Sequence, residues 1–586
     1  LRSFFAYFLA ALLALFVFAG LTVLVTFAVA GTLLSRDLAT VPSRSVLVVD
    51  LARNFRDLKA TNPLLELTGD TESDIPSLPD LLRVIRHAAG DSAIKGIYLV
   101  ANDNNNGFAS SEEIRQALLD FRKSGKFIIA YGDYIMQKSY HVANVATSVY
   151  VNPKGMVDWR GFSVEYAYFK QLLAKLEVEP QIFYDGRYKS ATEPFREEKM
   201  TDANRLQTEA WLGGMYRGFL GAAASARKLD TATLHRYADA YEVRTPADAL
   251  RLKLIDGLRY DDEVKDEIKR RIGIGAKEKI SLVTPGTYIA AGKLYRKGEK
   301  DRIAVVYAEG EIMYGKSQEE TIGSDEYREV LRKIRYNEEI KAVVLRVNSP
   351  GGSSLASEII WREVSLLRKA GKPVIVSMGD VAASGGYYIA CDADSIFALP
   401  NTLTGSIGVF AIVPNMQAFL KNKLGITFDR VKTATYADAL TVTRPLTPGE
   451  KAIIQQEVDH IYADFKTRVS EGRKLSPAVV DSIAQGRVWT GEDALRVKLV
   501  DALGGLDRAV QSAASMAGLT AFSLREYPEP KSPLDMILGG FDRQYSQRIL
   551  REELGEDSYR LYRQVQQLRE QSGQVQARWP YDLQVR

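Results

Sequence analysis

Beyond residue 45 the chain alternates short apolar runs with longer stretches whose apolar residues recur every three or four positions. "AVVLRV", "PVIVSM" and "SIFAL" are brief, bounded and rich in β-branched residues, which predicts buried strands. "SSLASEIIWREVSLLRKAG" has helical spacing and stops at Gly371, a natural residue for a helix C-terminus. Strands alternating with helices predict parallel pairing and an α/β architecture. The first stretch breaks this pattern. From Phe4 to Leu34 there is no charged residue. A bilayer needs about 20 apolar residues, and a cleaved signal peptide has a shorter core of about 7–15. Residues 4–34 are therefore expected to be an uncleaved transmembrane signal anchor in contact with lipid. Arg2 lies before it and Arg36 and Arg44 after it, so the flanking charges do not set its orientation.

After the anchor the pattern is written twice. "IKGIYLVAND" at Ile94 recurs as "IKAVVLRVNS" at Ile340. "RKSGKFIIAYGD" at Arg122 recurs as "RKAGKPVIVSMGD" at Arg368, and "TPADALRLKLIDGL" at Thr245 as "TGEDALRVKLVDAL" at Thr490. The order is kept and the offset stays at about 246 residues, so the chain is an internal duplication. The expected organisation is a first α/β repeat over 45–271, a linker over 272–301 and a second repeat over 302–518. A charged, amphipathic helical tail over 519–586 is expected to serve packing or oligomer contact.

Composition narrows the chemistry. The net charge is +4 with both signs interspersed, so no nucleic-acid footprint is expected. A single cysteine, Cys391, excludes an intrachain disulfide and reads as a small core residue. Four histidines and no HExxH or CxxC spacing leave little for a metal site, and no metal or cofactor is expected. His141 lies in the first repeat and is not expected to be catalytic. Any general base has to be sought among other residue types.

The duplication allows one half to be compared with the other. Aligning "YGDYIMQKSYHVA" with "MGDVAASGGYYIA" sets Gln137 against Ser384 and Lys138 against Gly385. Asp133 matches Asp380, which argues for a structural aspartate. "VANDNNNG" stands where the second repeat has "VNSPGGSS", and "VDWRGF" where it has "TGSIGV". One stretch runs the other way. "YDGRYKSATEPF" faces "KTATYADALTVTRPL", and matching Tyr188 to Tyr436 sets Lys189 against Ala437. The second repeat keeps a serine, the first keeps a lysine.

That pair makes chemistry. A serine hydroxyl needs an adjacent base, and a neutral lysine can serve, as in Ser-Lys variants of the triad. Its ordinary pKa of about 10.4 must fall near 7, a bias of about 4 kcal/mol that burial can supply. Arg187, two residues away, is a candidate for adding to it. A tetrahedral intermediate needs N–H donors about 3 Å from its oxyanion. Gly385, just after Ser384, and Gly352 of the "PGG" turn are the candidate donors, since glycine lets backbone approach a substrate closely. The start of a helix after Ser384 would also favour developing negative charge.

"NSPGGS", "GDVAASGGYYIA", "TGSIGVF" and, in the first repeat, "YKSATEPF" resemble the serine signal peptide peptidases of the protease IV type, in their long, duplicated form. The resemblance covers most of the chain after the anchor. It implies two tandem Clp-protease/crotonase-like repeats and a serine endopeptidase with a Ser-Lys dyad. Its substrates would be apolar peptides, cleaved signal peptides left in the membrane. It implies a homo-oligomer, a tetramer, on the bacterial inner membrane with the catalytic region in the periplasm. Carried over by motif, Ser384 is the nucleophile, Lys189 the general base, and Ser406 of "TGSIG" a candidate for orienting the lysine. Two other readings stand beside it. A crotonase-like acyl-CoA enzyme would share such glycine turns, and an inactive peptidase-like scaffold would bind membrane peptides without cutting. Out of context an A-A-S-G-G turn is more often structural, and Ala382 breaks the GxSxG elbow pattern.

Overall fold

A computed structural model of the chain describes residues 7–8, 12–22, 39–59, 75–294, 298–318, 320–529 and 575–578. Most of the anchor expected over 4–34 lies outside them. Its described residues 12–22 form an exposed helix, and no described helix is long and apolar enough to cross a membrane.

The two repeats are two sheets covered by helices, parallel except for Val488–Thr490 at the edge of the second, which pairs antiparallel with Leu403–Gly405. In the first, strands run in the order Gly257–Leu258, Ser148–Val157, Phe127–Ile135, Ile94–Val100, Ser45–Asp50 and Leu282–Val283, all parallel. In the second, Leu403–Gly405, Val374–Ala383, Ile340–Ser349 and Arg302–Glu309 lie side by side, with Ser395–Ala398 also on Val374–Ala383. Parallel strands with helices on both faces are buried throughout. Val343, Val344 and Leu345 are accordingly all fully buried, although no polar residue alternates with them. The apolar runs of the sequence sit in these strands. "SSLASEIIWREVSLLRKAG" is the helix Ser354–Lys369, capped by the Ser353 side chain, with Gly371 in the left-handed region just beyond it. The repeat extends to long helices of 26 residues, Asp202–Arg227 and Pro448–Arg473. Each is capped by a threonine and ended by a left-handed lysine.

Two expected segments differ from the sequence reading. The linker is not free: Leu282–Val283 adds to the edge of the first sheet, and Pro285–Ala290 forms a helix. The segment after 518 is not simply a helical tail. Ser523–Tyr527 extends the second sheet as a parallel strand beside Arg302–Glu309. The amphipathic stretch at 541–571 lies outside the described residues, but Gln576–Arg578 returns as a strand.

A third sheet joins the halves. Its order is Thr321–Gly323, Glu311–Met313, Gly351–Ser353, Gln576–Arg578, Val409–Asn415 and Glu179–Asp185. The last strand belongs to the first repeat and pairs antiparallel with Val409–Asn415 of the second. Buried polar contacts tie the same interface. Arg346 is enclosed between Asp57 at 3.0 Å and Glu113 at 2.6 Å, both from the first repeat. Asp380 accepts hydrogen bonds from the Ala109 and Ser110 amides and from the Ser110 hydroxyl. Its structural reading gains a purpose here: it closes one half on the other. Truncating one member of such a buried charge cluster leaves its partner uncompensated, at about 3–5 kcal/mol.

Candidate active site

The strand Val374–Ala383 ends at Ser384, and the chain turns at once into the helix Gly385–Ala390. Ser384 takes φ 56°, in the left-handed region that a side chain rarely occupies. The turn is held from both sides: its N–H donates to Gly405 O at 2.8 Å and its carbonyl accepts from Tyr388 N at 2.8 Å. Such strain persists only where the surroundings over-determine it. Gly386 is required because a Cβ there would stand 2.7 Å from Ser349 O.

Lys189 reaches the same point from the other repeat. Its strand, Glu179–Asp185, is placed by pairing with Val409–Asn415. The chain then turns at Gly186, and Tyr188 N donates to Gln485 O at 2.7 Å. The Lys189 side chain is buried, and Nζ lies 3.0 Å from Ser384 Oγ. It also lies 3.2 Å from both the carbonyl and the hydroxyl oxygen of Ser406. These three neighbours suit a neutral amine. Two N–H groups can donate to Ser406, which leaves the lone pair for the Ser384 hydroxyl proton.

Burial pushes the Lys189 amine down to about 7, and burial is the one cause. The expectation that Arg187 contributes is therefore corrected. The strand ends before it, its side chain points outward, and its guanidinium sits by the Tyr188 ring. The Phe410 ring is 5.9 Å from Nζ, so one wall of the lysine pocket is aromatic.

The "PGG" turn packs against the turn that follows the serine, through Gly351 and Gly385. A Cβ on Gly352 would stand 2.0 Å from Ile312 O, and one on Gly385 would stand 2.6 Å from Ser357 Oγ. A Cβ on Gly351 would stand 2.6 Å from Gly385 N, so the two turns are in contact. Beside them lies the strand Gln576–Arg578, pairing with Gly351–Ser353 on one side and with Phe410 on the other. The Ala577 carbonyl points at the turns: a Cβ at Gly351 would be 2.2 Å from its oxygen and one at Gly385 3.1 Å from it. The Ala577 carbonyl of this extended segment thus lies against Gly351 and Gly385.

Two residues that support the lysine escaped the sequence reading. Gly486, at φ 72°, packs on the Lys189 backbone, where a Cβ would stand 2.6 Å from Lys189 N. Gln207 donates to Tyr188 O and Ser190 Oγ and accepts from Val488 N, clamping the lysine turn to the second repeat. The comparison of repeats carries the signal for both, since Gly486 aligns with Tyr241 and Gln207 with Ile453. The equivalent place in the first repeat is closed. Gln137, in the position of Ser384, donates to Gly161 O and accepts from the amides of Arg160 and Gly161. His141 pairs with Glu112, and Cys391 is buried with its thiol on Tyr388 O. Among the described residues no group of histidines, cysteines and carboxylates could hold a metal ion.

Known proteins bear on this geometry. The description of peptidase family S49 matches residues 120–274 and again 366–520, one match per repeat and over half of the chain together. The chain belongs to peptidase family S49. It is 36% identical over 520 residues to Protease 4 of Salmonella typhi, covering 85% of this chain and 82% of that one. Protease 4 of Haemophilus influenzae is 37% identical, covering 78% and 75%. The chloroplastic serine protease SPPA of Arabidopsis thaliana is 34% identical, covering 79% and 70%. This S49 chain is therefore a serine protease of the duplicated, protease IV type. That sets aside an acyl-CoA enzyme.

Proposed function

We propose that this protease is a membrane-anchored endopeptidase of apolar peptides, in the first place cleaved signal peptides left in the membrane, acting through a Ser384–Lys189 dyad. The observation that carries the reading is the buried Lys189 amine, 3.0 Å from the Ser384 hydroxyl and held near neutral pKa. Ser384 Oγ attacks the substrate carbonyl while its proton passes to Lys189 Nζ. The amides of Gly352 and Gly385 receive the oxyanion. The new ammonium, held by the two oxygens of Ser406, gives its proton to the leaving amine. Water then attacks the acyl ester as Lys189 takes its proton; the bond to Ser384 Oγ breaks, Lys189 returns that proton to Oγ, and the carboxylic acid leaves.

The substrate lies as an extended strand between Gly351–Ser353 and Val409–Asn415. The chain's own Gln576–Arg578 in that slot supports this mode of binding, since main-chain pairing accepts varied sequences. The uncharged stretch 4–34 supports anchoring in lipid, with the Clp-protease/crotonase-like repeats in the periplasm of a bacterial inner membrane. A homo-oligomer, a tetramer, fits the protease IV type.

Ser384→Ala and Lys189→Ala, assayed on an apolar peptide ester, test the dyad. Each is expected to lose turnover by at least three orders of magnitude, and a serine-directed acylating probe is expected to add its mass to Ser384 in wild type. Wild-type turnover in either variant, or probe mass elsewhere, would overturn the mechanism. A wild type that cleaves no apolar peptide would favour the scaffold reading.

A further inference from the structure

The two repeats differ at one place away from the dyad: the second is filled there and the first is hollow. In the second repeat the helices Ser354–Lys369, Gly385–Ala390 and Pro448–Arg473 carry a closed polar contact. Arg468 pairs with Glu358 at 2.9 Å, and its guanidinium lies 4.0 Å from the centre of the Trp361 ring. Tyr388 donates to the same Glu358, and Arg368 pairs with Asp392 and Asp394. Cations and carboxylates are matched.

The same place in the first repeat lies between the helices Phe108–Arg122, Gln137–Ala143 and Asp202–Arg227. Glu112 stands where Glu358 does and Arg122 where Arg368 does, but the filling is different. Ala222 is in the position of Arg468, Arg115 in that of Trp361 and His141 in that of Tyr388. Val145 is in the position of Asp392, so Arg122 has no aspartate there and donates to the Val145 carbonyl. The result is a cavity of about 560 Å³, walled on one side by Pro400 and Asn401 of the second repeat. Small-molecule sites have this size. Its deep end is formed by Arg115 and His141, both more than nine-tenths buried. Among the described residues Arg115 Nε and His141 Nδ1 have no hydrogen-bond partner, which buried polar atoms normally have. Arg122 and Lys228 stand exposed at the rim. The lining carboxylate, Glu112, is already held by His141 at 2.9 Å and Gln116 at 2.6 Å. Arg115, Arg122 and Lys228 against Glu112 leave an excess of two positive charges.

We propose that this cavity binds a small organic dianion, a phosphate monoester or a dicarboxylate, at the boundary of the two repeats. The excess charge matches a doubly charged oxyanion, and guanidinium groups present the forked N–H donors that such an oxyanion accepts. Leu119, Val145 and Pro400 offer apolar wall to its carbon part. The site also touches the fold of the dyad. Pro400 and Asn401 lead into the strand Leu403–Gly405, and the Gly405 carbonyl holds the Ser384 N–H. A ligand that bridges the first repeat to that turn stabilises the packed repeats by mass action.

Isothermal titration of the full-length protein with glycerol phosphate and with succinate, at constant ionic strength, tests the site. Saturable binding of at least one, with a Kd of about 1 mM or tighter, is expected, and which of them binds names the anion. Acetate, a monoanion, is expected to bind several-fold more weakly. The bound probe is expected to raise the unfolding temperature. Pretreatment with a serine-directed acylating probe is expected to leave binding unchanged, which separates this cavity from the cleft. Arg122→Gln and Lys228→Gln, both at the exposed rim, are each expected to weaken binding several-fold. Ala222→Arg combined with Arg115→Trp rebuilds the filling of the second repeat and is expected to abolish it; the rim variants decide the matter if that variant does not fold. Binding of neither probe, acetate binding as tightly, loss of binding after acylation, or full binding in both rim variants would overturn the proposal.

Discussion

If burial alone holds the Lys189 amine near 7, the pH profile of acylation is fixed by one group. At pH 7 about half of the amine is neutral, at pH 9 nearly all of it, and at pH 5 about one part in a hundred. A solvated lysine, titrating at 10.5, would be neutral in about one part in 3,000 at pH 7. The rate constant for labelling Ser384 with an acylating probe is expected to rise about tenfold per pH unit up to about 7 and then level off. A rise that continues beyond pH 9 would refute the reasoning. Stability supplies an independent check. The folded amine titrates below the unfolded one, so between about 7 and 10.5 the unfolded chain binds more protons and stability rises with pH. Below about 7 both forms are protonated and the full cost of burying the charge, about 5 kcal/mol, is present. Lys189→Met removes that cost. Its unfolding midpoint is expected to exceed that of wild type most below pH 7, with the gap closing toward pH 10.5. A gap that does not change with pH would show that the amine is not perturbed.

Other consequences follow from single contacts. Gly486→Ala forces a Cβ to within 2.6 Å of Lys189 N, so labelling of Ser384 is expected to slow at least a hundredfold while the fold is kept, as circular dichroism would show. Ser406→Ala removes one of the two oxygens that receive the lysine N–H groups; a loss of about 1–1.5 kcal/mol, or about tenfold in kcat/KM, is expected with the same KM. Truncation before residue 575 empties the slot between Gly351–Ser353 and Val409–Asn415, and kcat/KM for a short peptide is expected to rise. Arg346→Met strands two buried carboxylates, Asp57 and Glu113, and is expected to destabilise the chain by about 3–5 kcal/mol in urea unfolding, with rescue when both become Asn and Gln.

Much of the site was legible because duplication turned one sequence into a comparison. Ser384 against Gln137 and Lys189 against Ala437 marked what each repeat had lost, and the α/β pattern followed from apolar runs such as "AVVLRV". The same comparison held Gly486 and Gln207, but their loops lack a motif, and their use depends on what packs against them. The tail was the poorest reading. Helical periodicity says nothing of Gln576–Arg578, which becomes a strand through an edge that only the folded cleft offers.

What the sequence determined by itself, then, was the inventory: strands, helices, two repeats, and a serine and a lysine 195 residues apart. Local periodicity and turn chemistry suffice for those, because they act between near neighbours. Tertiary structure alone decided the distance of 3.0 Å between the two groups and the environment that lowers the amine to about 7. Both depend on the antiparallel pairing of Glu179–Asp185 with Val409–Asn415, which brings the amine to the serine and takes it out of water, a contact between segments that local sequence does not connect.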